Sequence, residues 1–247
     1  MKTLLPLALF IITIHFTPVP IFAGEPFEPK FPERSAPILF NYTEFPVATW
    51  KSLSLTNFPW FTETTDGWYI DWDVERKPIE YLIIHHTATS GMATLEELSD
   101  IMRERLYRPV YQDPKPKNPY VLGLPMHSGH VLNGKETFTA YHFLIYPSGE
   151  IKTTLMPHKK IGDTWYVDMI GWGSGKWDVN CRSVQIALVG DYRVTTPSKE
   201  MLESLSRLIA YYRTLVPSLL IKSHREVRPQ PTDCPGTWWD EWRKTVK

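Results

Sequence analysis

The stretch EYLIIHHTATS, residues 80–90, sets an apolar strand-forming run against two adjacent histidines and a Thr-Ala-Thr-Ser tail. Tyr81 to Ile84 read as a buried strand, because an uninterrupted aliphatic and aromatic run of this length needs cover on both faces. Side chains alternate along a strand, so His85 and His86 point to opposite faces and only one of them can serve any one site. A strand end in solvent has no use for paired imidazoles. The pair raises the question of what else the chain brings to that place.

Downstream, TLEELSDIMRERLY (94–107) places Leu95, Leu98, Ile101 and Met102 on one helical face, with Thr94 and Glu97 spaced for a capping box. FTAYHFLIYPSGEIKTTL, ending at Leu155, reads as two strands about a Pro-Ser-Gly-Glu turn, and SVQIALVGDY (183–192) as another buried strand, with a looser stretch over 157–181 between them. PSKEMLESLSRLIAYYRTLV (197–216) is a helix with Met201, Leu205, Leu208, Ile209 and Tyr212 on one stripe and Pro197 in its first turn. LLIKSHREV reads as a strand running into a loop, and GTWWDEWRKTV as a short terminal helix. This order of elements predicts an α/β fold: a mixed central β-sheet flanked by helices, one domain over residues 76–247. Residues 108–136 form a Pro- and Gly-rich connection longer than ordinary loops.

The two ends of the 247-residue chain differ in character. Residues 1–23 carry one charge, Lys2, an apolar core from Leu4 to Phe16 and a small Ala23, the layout of a signal peptide that is too short and too broken by Pro6 and Pro18 to span a bilayer. Cleavage after Ala23 leaves an exported product, periplasmic or extracellular, with no membrane span. Residues 24–75 then form an arm whose first part, 24–60, is dense in Pro and holds eight aromatic residues without helical or strand periodicity. Removing Lys2 leaves 26 basic against 27 acidic residues, a near-neutral balance that argues against nucleic acid or an anionic membrane as partner. No helix shows sustained heptads, so a monomer is expected.

Three segments carry metal-competent side chains at or just beyond the ends of apolar strands: His85 or His86, His224 after LLIKS, and Cys234 in RPQPTDCPG. Two His and one Cys are ligands that zinc accepts, and three protein ligands leave a fourth tetrahedral position open. The chain has only two cysteines, Cys181 and Cys234, and in an oxidising compartment a disulfide between them is the competing reading.

The blocks IIHHTATS, AYHFLIYPSGEI, SVQIALVGDY and SHREVRPQPTDCPG, in this order and spacing, resemble the type 2 N-acetylmuramoyl-L-alanine amidase family, which includes phage-type amidases and animal peptidoglycan recognition proteins. The resemblance spans roughly residues 78–242. It implies a single amidase-like domain, a Zn2+ cofactor held by His85, His224 and Cys234, and catalytic roles for Tyr141 and Thr232. It also implies a peptidoglycan or muropeptide substrate cut at the amide between the lactyl group and L-Ala. With His85 facing the metal, His86 turns away from it, and Asn180, Trp172 and His86 are assigned to substrate contacts. The thiolate role of Cys234 leaves Cys181 as a lone buried thiol.

Two departures stand out. Family members commonly carry a His shortly before an Asn…Ser-Ile-Gly strand entry, whereas GWGSGKWDVNCRS, 171–183, has none and offers Lys176, Asn180, Trp172 and Trp177 instead. The long connection adds His127 and His130. The first departure keeps open a muropeptide-binding module without catalysis as the alternative function. Export is checked by amino-terminal sequencing of the secreted product, which is expected to begin at Gly24.

Overall fold

In a computed structural model of the protein, residues 73–102 and 139–246 other than 229 are described with their side chains, as are Phe27 and Pro29. The backbone alone is described for 61–64, 67–70, 72, 103–107, 131–132 and 135–136. The strands are β1 (Phe61–Thr64), β2 (Gly67–Ile70), β3 (Tyr81–His86), β4 (Val131–Leu132), β5 (Lys135–Glu136), β6 (Phe143–Ile145), β7 (Ile151–Thr153), β8 (His158–Ile161), β9 (Thr164–Val167), β10 (Ser183–Leu188) and β11 (Leu220–Ser223). The helices are α1 (Leu95–Tyr107), α2 (Trp177–Asn180), α3 (Lys199–Leu215), α4 (His224–Val227) and α5 (Trp239–Trp242).

The central sheet has the order β11-β3-β10-β6-β7, parallel except for β7, which returns antiparallel to β6 around the expected turn. Parallel strands need cover on both faces, and they have it. On one face Leu82, Ile84, Val184, Ile186, Leu188, Phe143 and Ile145 pack with Met201, Leu205, Leu208, Ile209 and Tyr212 of α3. On the other, Leu144, Ala187 and Val189 pack with Leu95 and Leu98 of α1. Fully burying each large aliphatic side chain contributes about 1.5–3 kcal/mol, so α3, with its continuous stripe, is the principal clamp on the sheet.

Local signals set the helix ends. Thr94 Oγ1 accepts the Glu97 N–H at 3.1 Å while the Glu97 carboxylate accepts the Thr94 N–H at 2.8 Å, the reciprocal box read from the sequence. Ser198, not Pro197, opens α3: its hydroxyl oxygen accepts the Met201 N–H at 3.1 Å, so Pro197 lies just outside the first turn. Among the described residues no helix is long and apolar enough to cross a membrane.

Two readings of the sequence need correction. The stretch taken as loose over 157–181 contains the β8–β9 hairpin, turned by Gly162 at φ 59°, and the short α2. Beyond the part of the arm read as irregular, β1 and β2 pair antiparallel and a 3-10 turn follows at Trp72–Glu75. The chain after β11 forms the single turn α4 and not a loop. Residues 30–60 of the arm, and 108–130 of the long connection with His127 and His130, lie outside the described residues. Phe27 packs edge-on against Tyr211 at 6.4 Å with the Arg207 guanidinium over its ring at 5.2 Å, which fixes the start of the arm to α3.

The hairpin is anchored to α3 by His158, whose Nδ1 is 2.9 Å from the Tyr212 hydroxyl and whose ring lies edge-to-face on Trp165 at 5.1 Å. Burial lowers its pKa to about 4, so as pH falls from about 6.5 the unfolded chain takes the proton first. Stability that is complete above about 6.5 is then lost as pH drops toward 4, by at most about 3 kcal/mol before solvent screening. Urea denaturation at pH 7 and pH 4.5 checks this: the wild type is expected to lose more stability between the two than His158→Gln does.

Candidate metal centre

His85, at the carboxyl end of β3, pairs in register with Ala187 of β10, which pairs in turn with Leu144 of β6, so its side chain lies on the α1 face. His86 falls on the α3 face, as alternation requires. His85 is completely buried, with Nε2 2.6 Å from Oε1 of Gln185 and Nδ1 3.7 Å from Sγ of Cys234. His224 opens α4 at the end of β11, the neighbour of β3, and its ring centroid is 4.6 Å from that of His85. The turn that presents it is held by Glu226, whose carboxylate accepts from the Ser223 N–H at 2.6 Å and hydroxyl at 2.7 Å. Cys234 arrives on the loop after α4, where its carbonyl accepts the Arg225 N–H at 3.1 Å, and its Sγ accepts the His86 N–H at 3.3 Å.

The three donors of His85, His224 and Cys234 all lie within 4.8 Å of one another. Their chemistry fits a metal ion. Burial, aided by the neighbouring His224, holds His85 well below the ordinary imidazole range, and burial, aided by the Arg228 charge, lowers His224 to about 4. Both rings are therefore neutral at pH 7 with lone pairs to give. Nε2 of His224 is buried with no hydrogen-bond partner, a cost that a bound cation removes. Burial pushes the Cys234 thiol up to about 12, so only a cation at that position makes it a thiolate near neutrality. Both cysteines are free, which removes the disulfide reading.

Tyr141, just before β6, puts its ring centroid 5.0 Å from that of His85 and lines a small, mostly apolar pocket with Thr87, Thr89, Leu98, Met102 and Thr139 beside α1. Thr232 is half-buried, and its hydroxyl accepts the Cys234 N–H at 3.3 Å. The residues assigned to substrate contact are placed otherwise. Asn180 is fully buried, its Oδ1 accepting from the Ser174 N–H at 3.1 Å. Nδ1 of the buried His86 accepts the Tyr192 N–H at 3.1 Å, and Trp172 retains 5 % of its surface against Trp177. All three brace the interior in this structure, because the segment carrying Trp172 folds down onto β10 and the α3 face of β3 is closed.

Gln185 was not among the expected site residues. It is fully buried beside His85, and Gly173 lets the backbone pass over the pair: a Cβ there would lie 2.9 Å from Nε2 of His85 and 3.0 Å from Oε1 of Gln185. The only sequence signal was a polar residue inside an otherwise apolar strand. Loops near the site are braced by Arg225, which donates to the Gly236 carbonyl, and by Asp191, whose hydrogen bonds from Arg193 hold its carboxyl down at about 2.

Residues 75–237 match the N-acetylmuramoyl-L-alanine amidase family. The chain belongs to that family. His85, Tyr141, His224, Thr232 and Cys234 of this amidase-family chain all fall inside the match. A 60-residue segment is 40 % identical to peptidoglycan-recognition protein LB of Drosophila melanogaster, spanning 23 % of this chain and 25 % of that relative's length. Among solved structures, the Ph2119 endolysin of a Thermus scotoductus bacteriophage is similar at 20 % identity, covering 69 % of this chain and 86 % of its own, with a TM-score of 0.47. The endolysin amidase LysCS of Clostridium intestinale is similar at 20 % identity, with coverages of 77 % and 93 % and a TM-score of 0.47. A variant of Drosophila peptidoglycan-recognition protein LB in complex with tracheal cytotoxin is similar at 24 % identity, with coverages of 68 % and 83 % and a TM-score of 0.43.

The donor set is checked with Co2+ as a spectroscopic stand-in. Wild-type protein is expected to show a thiolate-to-cobalt charge-transfer band that disappears in Cys234→Ser, while a band that persists in the variant would remove Cys234 from the metal position.

Proposed function

We propose that the protein is a zinc-dependent N-acetylmuramoyl-L-alanine amidase that hydrolyses the amide between the lactyl group of muramic acid and the first L-Ala of peptidoglycan or muropeptides. It acts as an exported monomer in the periplasm or extracellular space. The observation that carries this reading is the convergence of His85, His224 and Cys234 within 4.8 Å, with the Tyr141 ring against His85.

His85, His224 and Cys234 would hold Zn2+ through two imidazoles and a thiolate, a donor set that zinc accepts. When bound, the ion supplies Lewis acidity toward an amide carbonyl and lowers the pKa of a coordinated water. The protein's own groups do the rest. Tyr141 acts through its phenol hydroxyl as a hydrogen-bond donor to the oxygen that gains charge as the amide carbonyl is attacked. Thr232 lies two residues before Cys234 and offers its hydroxyl proton to the same oxygen while its oxygen accepts the Cys234 N–H.

One observation favours a second reading, binding of muropeptides without cleavage: the stretch 171–183 carries no His, and Lys176 is its exposed cation. Mass spectrometry of purified sacculi incubated with residues 24–247 and zinc separates the two. Cleavage is expected to release stem peptides with a free L-Ala amino terminus, with none from Cys234→Ser and about 10²-fold fewer from Tyr141→Phe. Intact sacculi that retain the protein would establish the binding module instead.

A further inference from the structure

We infer that Gln185 is a positioning residue that decides which nitrogen of His85 is presented to the metal. The inference deepens the metal reading above and rests on it. It starts from Ser174, whose backbone N–H can only donate and lies 3.1 Å from one terminal atom of Asn180, so that atom is the amide oxygen. An oxygen can only accept, so the Gln185 atom 3.3 Å from it is the amino nitrogen, which also donates to the Ser183 hydroxyl at 2.5 Å. The remaining terminal atom of Gln185 is then its oxygen, at 2.6 Å from Nε2 of His85. That nitrogen must carry the proton. Nδ1 keeps the lone pair, and Nδ1 is the nitrogen 3.7 Å from Sγ of Cys234.

The direction of every bond in this chain thus descends from one main-chain amide. Asn180, Gln185 and His85 are fully buried, and Gly173 closes over the pair with no room for a Cβ. Turning Asn180 over would set its amino group against the Ser174 N–H and the Gln185 amino group, and turning Gln185 over would set two amide oxygens against each other, so the chain of directions is held.

Nitrogen-15 NMR of the metal-free protein reads the tautomer directly, and zinc affinity is read beside it by competition with a chromophoric chelator. In the wild type His85 is expected as the Nε2–H form. Gln185→Met, which keeps the volume and removes the acceptor, is expected to give mixed tautomers and zinc binding weaker by about 10–100-fold. Gln185→Glu, which retains an acceptor oxygen, is expected to restore the Nε2–H form. A wild-type Nδ1–H form overturns the inference without any variant having to fold, and so does Gln185→Met with unchanged tautomer and affinity. A wild type that shows the Nε2–H form and takes up no zinc overturns the metal reading, a failure distinct from both.

Discussion

The in-register parallel pairing of β3 with β10 is the constraint on which the site depends. It puts Ile83 opposite Gln185 and His85 opposite Ala187, so the imidazole and the amide that holds it lie on one face by backbone geometry alone. A slip of one residue would send His85 to the α3 side and Gln185 to neither partner. The apolar side chains that prevent such a slip, Leu82 and Ile84 toward α3 and the Leu144 and Ala187 layer toward α1, are thus as necessary to the chemistry as the ligands. β11, pairing on the other edge of β3, uses the same register to bring Ser223 beside Ile84 and His224 just past it.

The centre is built from groups whose burial works against charge. Two imidazoles are held neutral and a thiol is held protonated, so burial keeps all three donors uncharged around neutrality. The amide of His86, donating to Sγ, and the nearby charges of Arg225 and Arg228 partly offset that burial for the thiolate form. The residue turned away from the metal face thereby contributes to it through its backbone, while its ring is occupied by the Tyr192 amide and the Asp191 carboxylate at 3.9 Å.

Much of this architecture was legible in the chain. The uninterrupted run at Tyr81–Ile84, the Thr94–Glu97 pair and the apolar stripe of α3 each express a single physical requirement that local residues satisfy. The β8–β9 hairpin was harder to see, because the adjacent Lys159 and Lys160 break any apolar alternation, and the strands are held instead by His158 against α3 and by backbone bonds of Trp165 and Val167 to the 77–79 segment. The turn α4 was missed although Ser223 and Glu226 stand in capping-box spacing, since four residues give no periodicity to read. Alternation correctly sent His85 and His86 to opposite faces. It could not tell that Asn180 and His86 would be buried, because burial depends on segments far away in sequence. Gln185 was invisible for the same reason: its partner His85 is 100 residues distant.

The space denied to a side chain at Gly173 has a consequence for how this sequence can drift. Any residue larger than Gly there must displace either the His85 ring or the Gln185 carboxamide, and both are pinned by partners on other elements. Positions 173 and 185 therefore do not vary as independent sites. A change at one alters which residues are tolerated at the other, so descendants of this chain are expected to cross between solutions by paired substitution, with single intermediates disfavoured.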